Sequence, residues 1–468
     1  MPKIVVLGNG IAGITAAREI RKRSDDEILV ISGESDHFFS RTALMYIYMG
    51  HMTYENTKPY EDWFWEKNRI RLLRAWVRQL DPGAKLLHLA NGGSVAYDVL
   101  ILATGSKSNK FGWPGQDLDG VQGLYGLQDL STMEESTRGI DRALVVGGGL
   151  IGIEMVEMLR SREIPVTFLV REKKWMDFVF PPEEAEMVGR HIAEHGVDLR
   201  LATELERIED DGNGRVRAAF VKGTGDEISC GFLGLTVGVS PNVDFLRDVD
   251  GAGLEIERGI LVDDHLRTSV PDVYAIGDCA QVREPAPGRR PVEALWYVGR
   301  RMGQTVARTI CGESTPYDPG LWFNSAKFMD IEYQVYGKIT AQPGDGEASL
   351  YWEHADGMRS IRLQYREEDL RILGFNLMGV RYRHETCHQW ITEGRDLPYV
   401  LENLGAANFD PEFYAQHEQE LVRQFNERYP DRAVALRKKR GLAGWWQLRK
   451  PSVLFGGASS SAETVGAA

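Results

Sequence analysis

The sequence predicts an α/β protein in which two nested domains on parallel sheets are followed by an α+β domain at the C-terminus. The main observation is a glycine pattern, G-x-G-x-x-G, at residues 8–13 and again at residues 147–152. Each copy follows a short apolar run and opens a helical pattern. This succession of strand, glycine turn and helix binds one dinucleotide. Two copies predict two dinucleotides in one chain, and therefore electron transfer between them.

The composition is that of a globular protein without affinity for nucleic acid. A net charge of −13 over 468 residues disfavours binding to polyanions. No apolar run has the length of a membrane span, and the N-terminus enters an apolar run without a signal-peptide pattern. The four cysteines form no C-x-x-C motif. We therefore expect a cytoplasmic protein without a local redox dithiol.

The first glycine motif predicts a site for FAD or NAD. Lys3–Leu7 is the expected strand and Ile11–Arg21 the expected helix, whose N-terminal amides face the phosphates. Gly8 allows the tight turn, Gly10 lets a pyrophosphate approach the backbone, and Gly13 lets the helix pack close to the strand.

An acidic residue completes this first site. Glu34 follows the second expected strand, Glu27–Ser32. A carboxylate at this position can accept hydrogen bonds from both ribose hydroxyls and repels a 2′-phosphate. The first site is therefore not expected to take NADP.

The second glycine motif has no acid at the corresponding position. Its expected strand covers residues 142–146 and its helix residues 150–159, and the next strand, residues 166–170, ends without a carboxylate. Arg171 follows and could pair with a 2′-phosphate, which favours NADPH. Glu172 could instead accept a ribose hydroxyl, and a solvated loop is the remaining alternative. The contacts expected at this motif are Gly147, Gly149, Leu150, Ile151 and Gly152.

Three further segments carry a resemblance to a known family. Residues 97–105, 238–242 and 268–278 read YDVLILATG, GVSPN and TSVPDVYAIGD. With the two glycine motifs, they make the chain similar to the FAD-dependent pyridine nucleotide–disulfide oxidoreductases, in the branch of the ferredoxin, rubredoxin and nitrite reductases. The resemblance covers about residues 1–380. It implies two nested Rossmann-like domains, for FAD and NAD(P), with three-layer ββα character.

The resemblance also implies roles for residues outside the glycine motifs. Asp278 would bind the ribityl chain of FAD, Arg41 would contact its adenosine end, and the backbone near Val77 would meet the adenine. Glu154 would lie near the nicotinamide as a catalytic residue, unless it is a helix residue that faces solvent. The full set implied for FAD is Gly8, Gly10, Ile11, Ala12, Gly13, Glu34, Arg41, Val77, Ala103, Thr104, Gly105, Gly277, Asp278, Leu295 and Trp296. For NAD(P), Gly238 and Arg171 join the glycine motif.

The chain departs from the family pattern beside the expected flavin. Residues 42–49 contain no cysteine, so a flavin–disulfide relay is not expected there. Tyr46 stands where related ferredoxin reductases often carry a lysine.

The expected organisation is nested. The FAD domain covers residues 1–112 and 246–316 and is interrupted by an NAD(P) domain of residues 113–245. An α+β domain covers residues 317–445, and residues 446–468 form a basic, tryptophan-bearing and then flexible tail. The elements expected in the α+β domain are strands at residues 326–336, 349–353, 358–366 and 370–378 and a helix at residues 409–429 that starts at Asp410-Pro411.

Two histidine pairs and the C-terminus carry further patterns. His384 and His388 fit H-E-x-x-H, for which the start of a helix is favoured over a metal site or a metalloprotease. His191 and His195 are expected on an exposed helix face, and no metal is expected in the chain. Trp445-Trp446 among basic residues could contact a membrane surface or an acidic partner, or could pack as an ordinary tail.

The predicted activity is that of an FAD-containing NAD(P)H oxidoreductase. A hydride would pass from nicotinamide to flavin, and electrons would leave to a small electron-transfer protein such as a ferredoxin or another iron–sulfur protein. The alternatives are a peripheral quinone reductase and a flavin-bound sensor subunit with low turnover. A homodimer is compatible with all three.

Overall fold

The computed structural model describes residues 1–247, 253–409, 412–413 and 415–437. They form two compact units, Met1–Gly320 with Lys327–Asp330, and Leu321–Ala326 with the chain from Ile331 onward. The start of the predicted helix at Asp410-Pro411 and the predicted tail with Trp445-Trp446 lie outside the described residues.

The elements of the first unit follow the chain in three groups. Residues 1–112 hold β1 (Lys3–Leu7), α1 (Ile11–Arg21), β2 (Glu27–Ser32), a 3-10 turn (Arg41–Ala43), α2 (Leu44–Tyr48), a 3-10 turn (Tyr54–Thr57), α3 (Trp63–Lys67), β3 (Ile70–Arg74), β4 (Val77–Asp81), β5 (Leu86–Leu89), β6 (Ser94–Ala96), β7 (Val99–Leu102) and β8 (Ser106–Ser108). Residues 113–247 hold β9 (Val121–Gln122), α4 (Leu127–Ser136), β10 (Ala143–Val146), α5 (Leu150–Ser161), β11 (Val166–Leu169), α6 (Pro182–Glu194), β12 (Asp198–Arg200), β13 (Leu205–Asp210), β14 (Val216–Val221), β15 (Glu227–Ser229), β16 (Phe232–Leu235), β17 (Val239–Pro241) and α7 (Asp244–Arg247). Residues 253–320 hold β18 (Ile260–Val262), β19 (Val273–Ala275), a 3-10 turn (Gly277–Cys279), β20 (Ala280–Val282) and α8 (Trp296–Ile310).

Two parallel sheets organise the first unit. The first has the order β19-β7-β1-β2-β3 and the second the order β12-β11-β10-β16-β9, with every neighbouring pair parallel. Their central strands are apolar and almost wholly buried, as parallel strands covered on both faces must be. A three-stranded antiparallel sheet shares the core of each: β4-β5-β6 with the first and β13-β14-β15 with the second.

The strand order confirms the nested α/β fold class. Strands β1, β2, β3 and β7 precede the whole second sheet in the chain, whereas β19 follows it and returns to the edge of the first sheet beside β7. Smaller pairs, β17-β8 and β18-β20, complete the unit. The domain boundaries given above stay a prediction.

The second unit is an α+β arrangement on one sheet. Its elements are β21 (Phe323–Phe328, which ends in the first unit), β22 (Ile331–Gly337), β23 (Glu347–Glu353), β24 (Ser360–Arg366), β25 (Ile372–Met378), α9 (His384–Thr392), α10 (Leu397–Asn403), α11 (Glu418–Arg428) and 3-10 turns at Leu404–Ala406 and Pro430–Arg432. The sheet order is β21-β22-β25-β24-β23. Its apolar face packs against residues of all three helices.

Two expectations for this region were wrong in extent. The single strand expected at residues 326–336 is two strands, because Met329 turns the chain with φ +53° and Asp330, a residue type common in turns, follows it. The helix expected at residues 409–429 is described only as α11, which begins at Glu418. Among the described residues, no helix combines the length and apolar character needed to cross a membrane.

Candidate functional site

The first glycine turn joins β1 to α1 with little room to spare. Gly8 has φ +116°, and a Cβ there would lie 2.0 Å from the carbonyl oxygen of Ala103. A Cβ at Gly13 would lie 2.1 Å from the carbonyl oxygen of Gly8. Both positions therefore require glycine to keep strand and helix together. Gly10 differs, since among the described residues no heavy atom beyond its chain neighbours lies within 4 Å of its Cβ position.

The second glycine turn, between β10 and α5, repeats this division. Gly147 has φ +112°, and its Cβ would lie 2.5 Å from the carbonyl oxygen of Thr236. A Cβ at Gly152 would lie 2.1 Å from the carbonyl oxygen of Gly147, whereas a Cβ at Gly149 would meet no described residue within 4 Å apart from its chain neighbours. In each turn the outer glycines serve packing, and the middle one leaves the helix N-terminus open on the side where a pyrophosphate would bind. The residues present thus fit a dinucleotide at both turns.

The Glu34 carboxylate already accepts hydrogen bonds from other residues of the protein. Arg41 donates from Nη1 to Oε1 at 2.8 Å and from Nη2 to Oε2 at 2.6 Å, and the Leu127 amide donates to Oε1 at 3.1 Å. Oε1 therefore accepts two hydrogen bonds and Oε2 only one. This leaves acceptor capacity for one ribose hydroxyl rather than the two expected from the sequence.

A half-buried network extends from Arg41 to Asp278. Arg41 Nη1 donates to the Tyr125 carbonyl oxygen at 2.6 Å, and its guanidinium lies 4.5 Å from the centre of the Tyr125 ring. Tyr125 Oη and Ser106 Oγ donate to Asp278 Oδ2 at 3.2 and 3.1 Å. Burial raises the pKa of the Asp278 carboxyl, and it raises the pKa of the Tyr125 phenol as well. The structure thus brings Glu34, Arg41 and Asp278 into one connected group.

Sequence reasoning missed the link residues of this network. Tyr125 precedes α4 and belongs to no motif, so nothing local indicates that its side chain joins two predicted FAD contacts. A polar cleft also opens beside Glu34; its lining residues are Glu34, Ser35, Asp36, Tyr54, Arg74, Leu127, Gln128, Ser131 and Thr132.

The remaining predicted FAD contacts lie on elements of the same unit. Leu295 is the N-cap residue of α8 and Trp296 its first residue. Gly277 has φ +71° and its Cβ would lie 2.9 Å from the Ala12 Cβ. Thr104 Oγ1 donates to the Asn242 carbonyl oxygen at 2.8 Å. Val77 begins β4 in the first antiparallel sheet.

Helices α1 and α8 approach each other closely, which the sequence analysis did not predict. A Cβ at Gly303 would lie 2.6 Å from the Ala12 carbonyl oxygen, and one at Gly299 would lie 3.4 Å from the Ala12 Cβ. The spacing of these two glycines, one helical turn apart, is the signal that could have revealed it.

Beside the second turn, Arg171 and Glu172 form an ion pair. Arg171 Nε donates to Glu172 Oε1 at 2.8 Å; the arginine side chain is 77% exposed and the glutamate 16%. Gly238, the other predicted contact, has φ +89° and follows β16.

Glu154 lies on α5, half-buried rather than facing solvent. Desolvation, together with the nearby Glu157 charge, raises the pKa of its carboxyl to about 7. Glu157 accepts a hydrogen bond from Lys327 Nζ at 2.8 Å. Related ferredoxin reductases often carry a lysine at the position of Tyr46. In this chain Lys327, which lies on β21, places a cation beside α5.

Both histidine pairs can now be placed. His384 and His388 lie in the first turns of α9, as favoured from the sequence, with Cys387 fully buried between them. The expectation for His191 was wrong: it is 4% exposed because its ring packs against His195 and beside the backbone of Asp330.

The sequence model of the pyridine nucleotide-disulphide oxidoreductases matches residues 2–303, well over half of the chain. The chain belongs to this family. Rubredoxin-NAD(+) reductase of Ectopseudomonas oleovorans is 30% identical over 333 residues, which is 70% of this chain and 85% of that protein. An NADH oxidase of Methanocaldococcus jannaschii is 29% identical over 400 residues, covering 81% of this chain and 87% of the relative.

Solved structures support the fold. A ferredoxin reductase from Rhodopseudomonas palustris superposes with a TM-score of 0.74 at 22% identity, over 90% of this chain and 99% of the other. An NAD-dependent persulfide reductase from A. fulgidus gives a TM-score of 0.79 at 22% identity, over 91% and 83%. The family membership, the fold class and the activity of an FAD-dependent NAD(P)H oxidoreductase are thereby confirmed.

Proposed function

We propose that this oxidoreductase passes electrons from a nicotinamide dinucleotide at the second glycine turn, through FAD at the first, to a small iron–sulfur protein. FAD, when bound, accepts the hydride and can release its electrons singly. The observation that carries the proposal is the pair of glycine turns with the same open middle position on two separate parallel sheets.

The state of the cysteines supports an electron acceptor other than a thiol of this chain. Cys230, Cys279 and Cys387 are buried and Cys311 is half-buried. Burial raises the pKa of all four thiols, to about 12 for Cys230. A thiol held protonated is a poor nucleophile, which disfavours a disulfide relay. The relatives named above include a rubredoxin reductase, and a further one is the ferredoxin reductase subunit of a benzene dioxygenase system from Pseudomonas putida.

The protein's own residues would position FAD through the network at the first site. We propose that Gly10 admits the pyrophosphate, Oε2 of Glu34 accepts one ribose hydroxyl, and Asp278 holds the ribityl hydroxyls. Arg41 keeps the Glu34 carboxylate in place. The other residues assigned to FAD by resemblance lie at the same turn, at the end of β7 and at the start of α8, together with Gly277 in the 3-10 turn and Val77 at the start of β4.

Anaerobic mixing tests both ends of this path. The purified flavoprotein is mixed with NADH or NADPH, and loss of oxidised-flavin absorbance is followed. A [2Fe–2S] ferredoxin, a rubredoxin and a soluble quinone are then compared as acceptors. We expect rapid flavin reduction and faster turnover with an iron–sulfur protein than with the quinone. Flavin that stays oxidised with both nucleotides would refute the electron entry, and turnover with the quinone alone would refute the outlet.

The preference for NADPH stays a prediction, and the Arg171–Glu172 pair limits how large we expect this preference to be. Arg171 uses Nε on Glu172, so its remaining donors would hold a 2′-phosphate while the adjacent carboxylate repels it. We therefore propose a modest preference for NADPH, below about tenfold in kcat/KM, or about 1.4 kcal/mol.

Two charge variants test this preference in opposite directions. Arg171→Glu should move the preference towards NADH, and Glu172→Gln should move it towards NADPH. Equal NADPH/NADH ratios in the wild type and both variants would show that this pair does not read the 2′ position. A cytoplasmic location, a homodimer and a membrane contact through the tail also stay predictions.

A further inference from the structure

One cluster of metal-ligating side chains lies apart from both glycine turns. His191 and His195 share a face of α6 and its C-terminal end, since residues four apart in a helix are neighbours. Asp330 comes from the turn between β21 and β22 and belongs to the same unit. One ligand atom from each of the three residues lies within 4.8 Å of the other two.

The hydrogen bonds of His195 leave one nitrogen directed into the cluster. Nδ1 lies 2.8 Å from the His191 carbonyl oxygen, which can only accept, so Nδ1 carries the hydrogen. Nε2 lies 2.8 Å from Oδ2 of Asp330. Metal-bound histidines anchor their other ring N–H on an acceptor in this way, so Nε2 is the nitrogen of His195 that could bind a metal.

His191 presents a second nitrogen to the same place. The backbone N–H of Asp330 donates to His191 Nε2 at 3.4 Å, so this nitrogen has a lone pair rather than a hydrogen. The two imidazole rings lie 4.4 Å apart, centre to centre. The Nε2 atoms of both histidines and the Asp330 carboxylate therefore converge. A metal ion would replace the proton shared by His195 and Asp330, and it would displace the Asp330 N–H from His191 Nε2.

The turn that supplies Asp330 is firmly held. Phe328 is fully buried, with its ring 5.0 Å from that of Trp175 and 5.8 Å from that of Phe180. Lys327 pairs with Glu157 on α5. Because these contacts hold the residues directly before Asp330, its backbone position is set before any ion binds, which favours affinity.

We propose that His191, His195 and Asp330 bind one divalent transition ion, with Zn²⁺ the best fit. Two nitrogens and one carboxylate oxygen suit zinc, which would keep water as a fourth ligand. Tetrahedral bonds of about 2.0–2.2 Å place ligand atoms about 3.3–3.6 Å apart, within reach of small side-chain rotations. The ion would join α6 to the turn that carries Lys327. The proposal departs from the expectation of no metal made from the sequence.

The other cluster of this kind among the described residues serves as a control. Asp263, Asp264 and His265 are consecutive. Asp263 Oδ1 already accepts the backbone N–H groups of His265 and Arg267, so this cluster is a hydrogen-bonded turn.

Zinc titration of the tag-free, FAD-loaded full chain by isothermal calorimetry tests the site. We expect one equivalent to bind with a Kd below about 10 μM, and His195→Gln and Asp330→Asn each to weaken it at least about tenfold. His265→Gln should bind as the wild type does. The Asp330 side chain is 64% exposed, so Asp330→Asn should leave the fold intact.

Copper gives an independent readout. With one equivalent of Cu²⁺, the electron paramagnetic resonance spectrum should show coupling to two imidazole nitrogens in the wild type and to one in His195→Gln. The proposal is overturned if the wild type binds no zinc at 100 μM, or if both variants keep the wild-type affinity. Coupling that is unchanged in His195→Gln overturns it as well.

Discussion

Replacing Gly149 with alanine adds one methyl group at a place that the protein itself leaves open. Within the described part of the chain, no heavy atom beyond its sequence neighbours lies within 4 Å of that Cβ position. The backbone is extended at φ −84° and ψ −175°, which alanine adopts readily. Because Gly149 is the N-cap of α5, we expect a loss of at most about 1 kcal/mol in the free energy of unfolding. Gly149→Ala should therefore fold and keep its FAD.

Binding of NAD(P)H should suffer much more than folding. The methyl group would stand between the helix N-terminus and the pyrophosphate and would remove at least one hydrogen bond from an amide to a charged oxygen. Such a bond is worth about 1.5–3 kcal/mol. We therefore expect the Kd for NADH and NADPH to rise about 10- to 150-fold.

The assay is the concentration dependence of flavin reduction in anaerobic mixing, with thermal unfolding measured in parallel. Gly152→Ala is the matched control, because its Cβ would meet the Gly147 carbonyl oxygen at 2.1 Å and should disrupt the turn itself. If Gly149→Ala binds both nucleotides as tightly as the wild type does, the second glycine turn is not where the pyrophosphate lies.

Three further variants probe the same unit. With a pKa of about 7, the Glu154 carboxyl should be protonated below neutral pH. Since folding raises this pKa, the free energy of unfolding should fall as pH rises from about 4.5 to 7. Glu154→Gln should flatten this decline, and it should also flatten any pH dependence of flavin reduction near pH 7. Lys327→Met leaves the buried Glu157 carboxylate without its cation and should lower the free energy of unfolding by about 1–2 kcal/mol after allowance for solvent screening. The double variant Lys327→Met/Glu157→Gln should recover part of this loss. Equal losses in the single and the double variant would contradict the pairing. Gly303→Ala presses a methyl group onto the Ala12 carbonyl oxygen and should lower the free energy of unfolding by about 1–3 kcal/mol. We expect this variant to lose FAD during purification. A stable protein that keeps its FAD would contradict the close contact between α1 and α8.

Local sequence patterns predicted the elements around the two turns well. The expected bounds of β1, α1 and β2 agree with the structure, because short apolar runs and glycines at fixed spacing specify them within a few residues of chain. Helix α5 is two residues longer than expected, at an end where no glycine or proline marks a stop.

What the sequence did not reveal depends on partners distant in the chain. The turn at Met329 is marked only by Asp330, and its position becomes clear from Phe328, whose ring packs against both Trp175 and Phe180. The burial of His191 depends on Asp330, which lies 139 residues further along the chain. Such contacts leave no periodic signal in the sequence.

The two glycine turns share their backbone geometry, so a difference in residence time between their ligands has to come from the surrounding side chains. At the first turn, the acidic residue after the second strand is held by Arg41, and Arg41 is held in turn by Tyr125, whose hydroxyl reaches Asp278. This network is fixed before any ligand binds, so little ordering remains to oppose binding. At the second turn, the corresponding loop offers one exposed pair between neighbouring residues, Arg171 and Glu172, whose side chains would be ordered anew by each nucleotide. We therefore expect the first turn to retain FAD through purification and the second to exchange its nucleotide in every cycle, as electron entry requires.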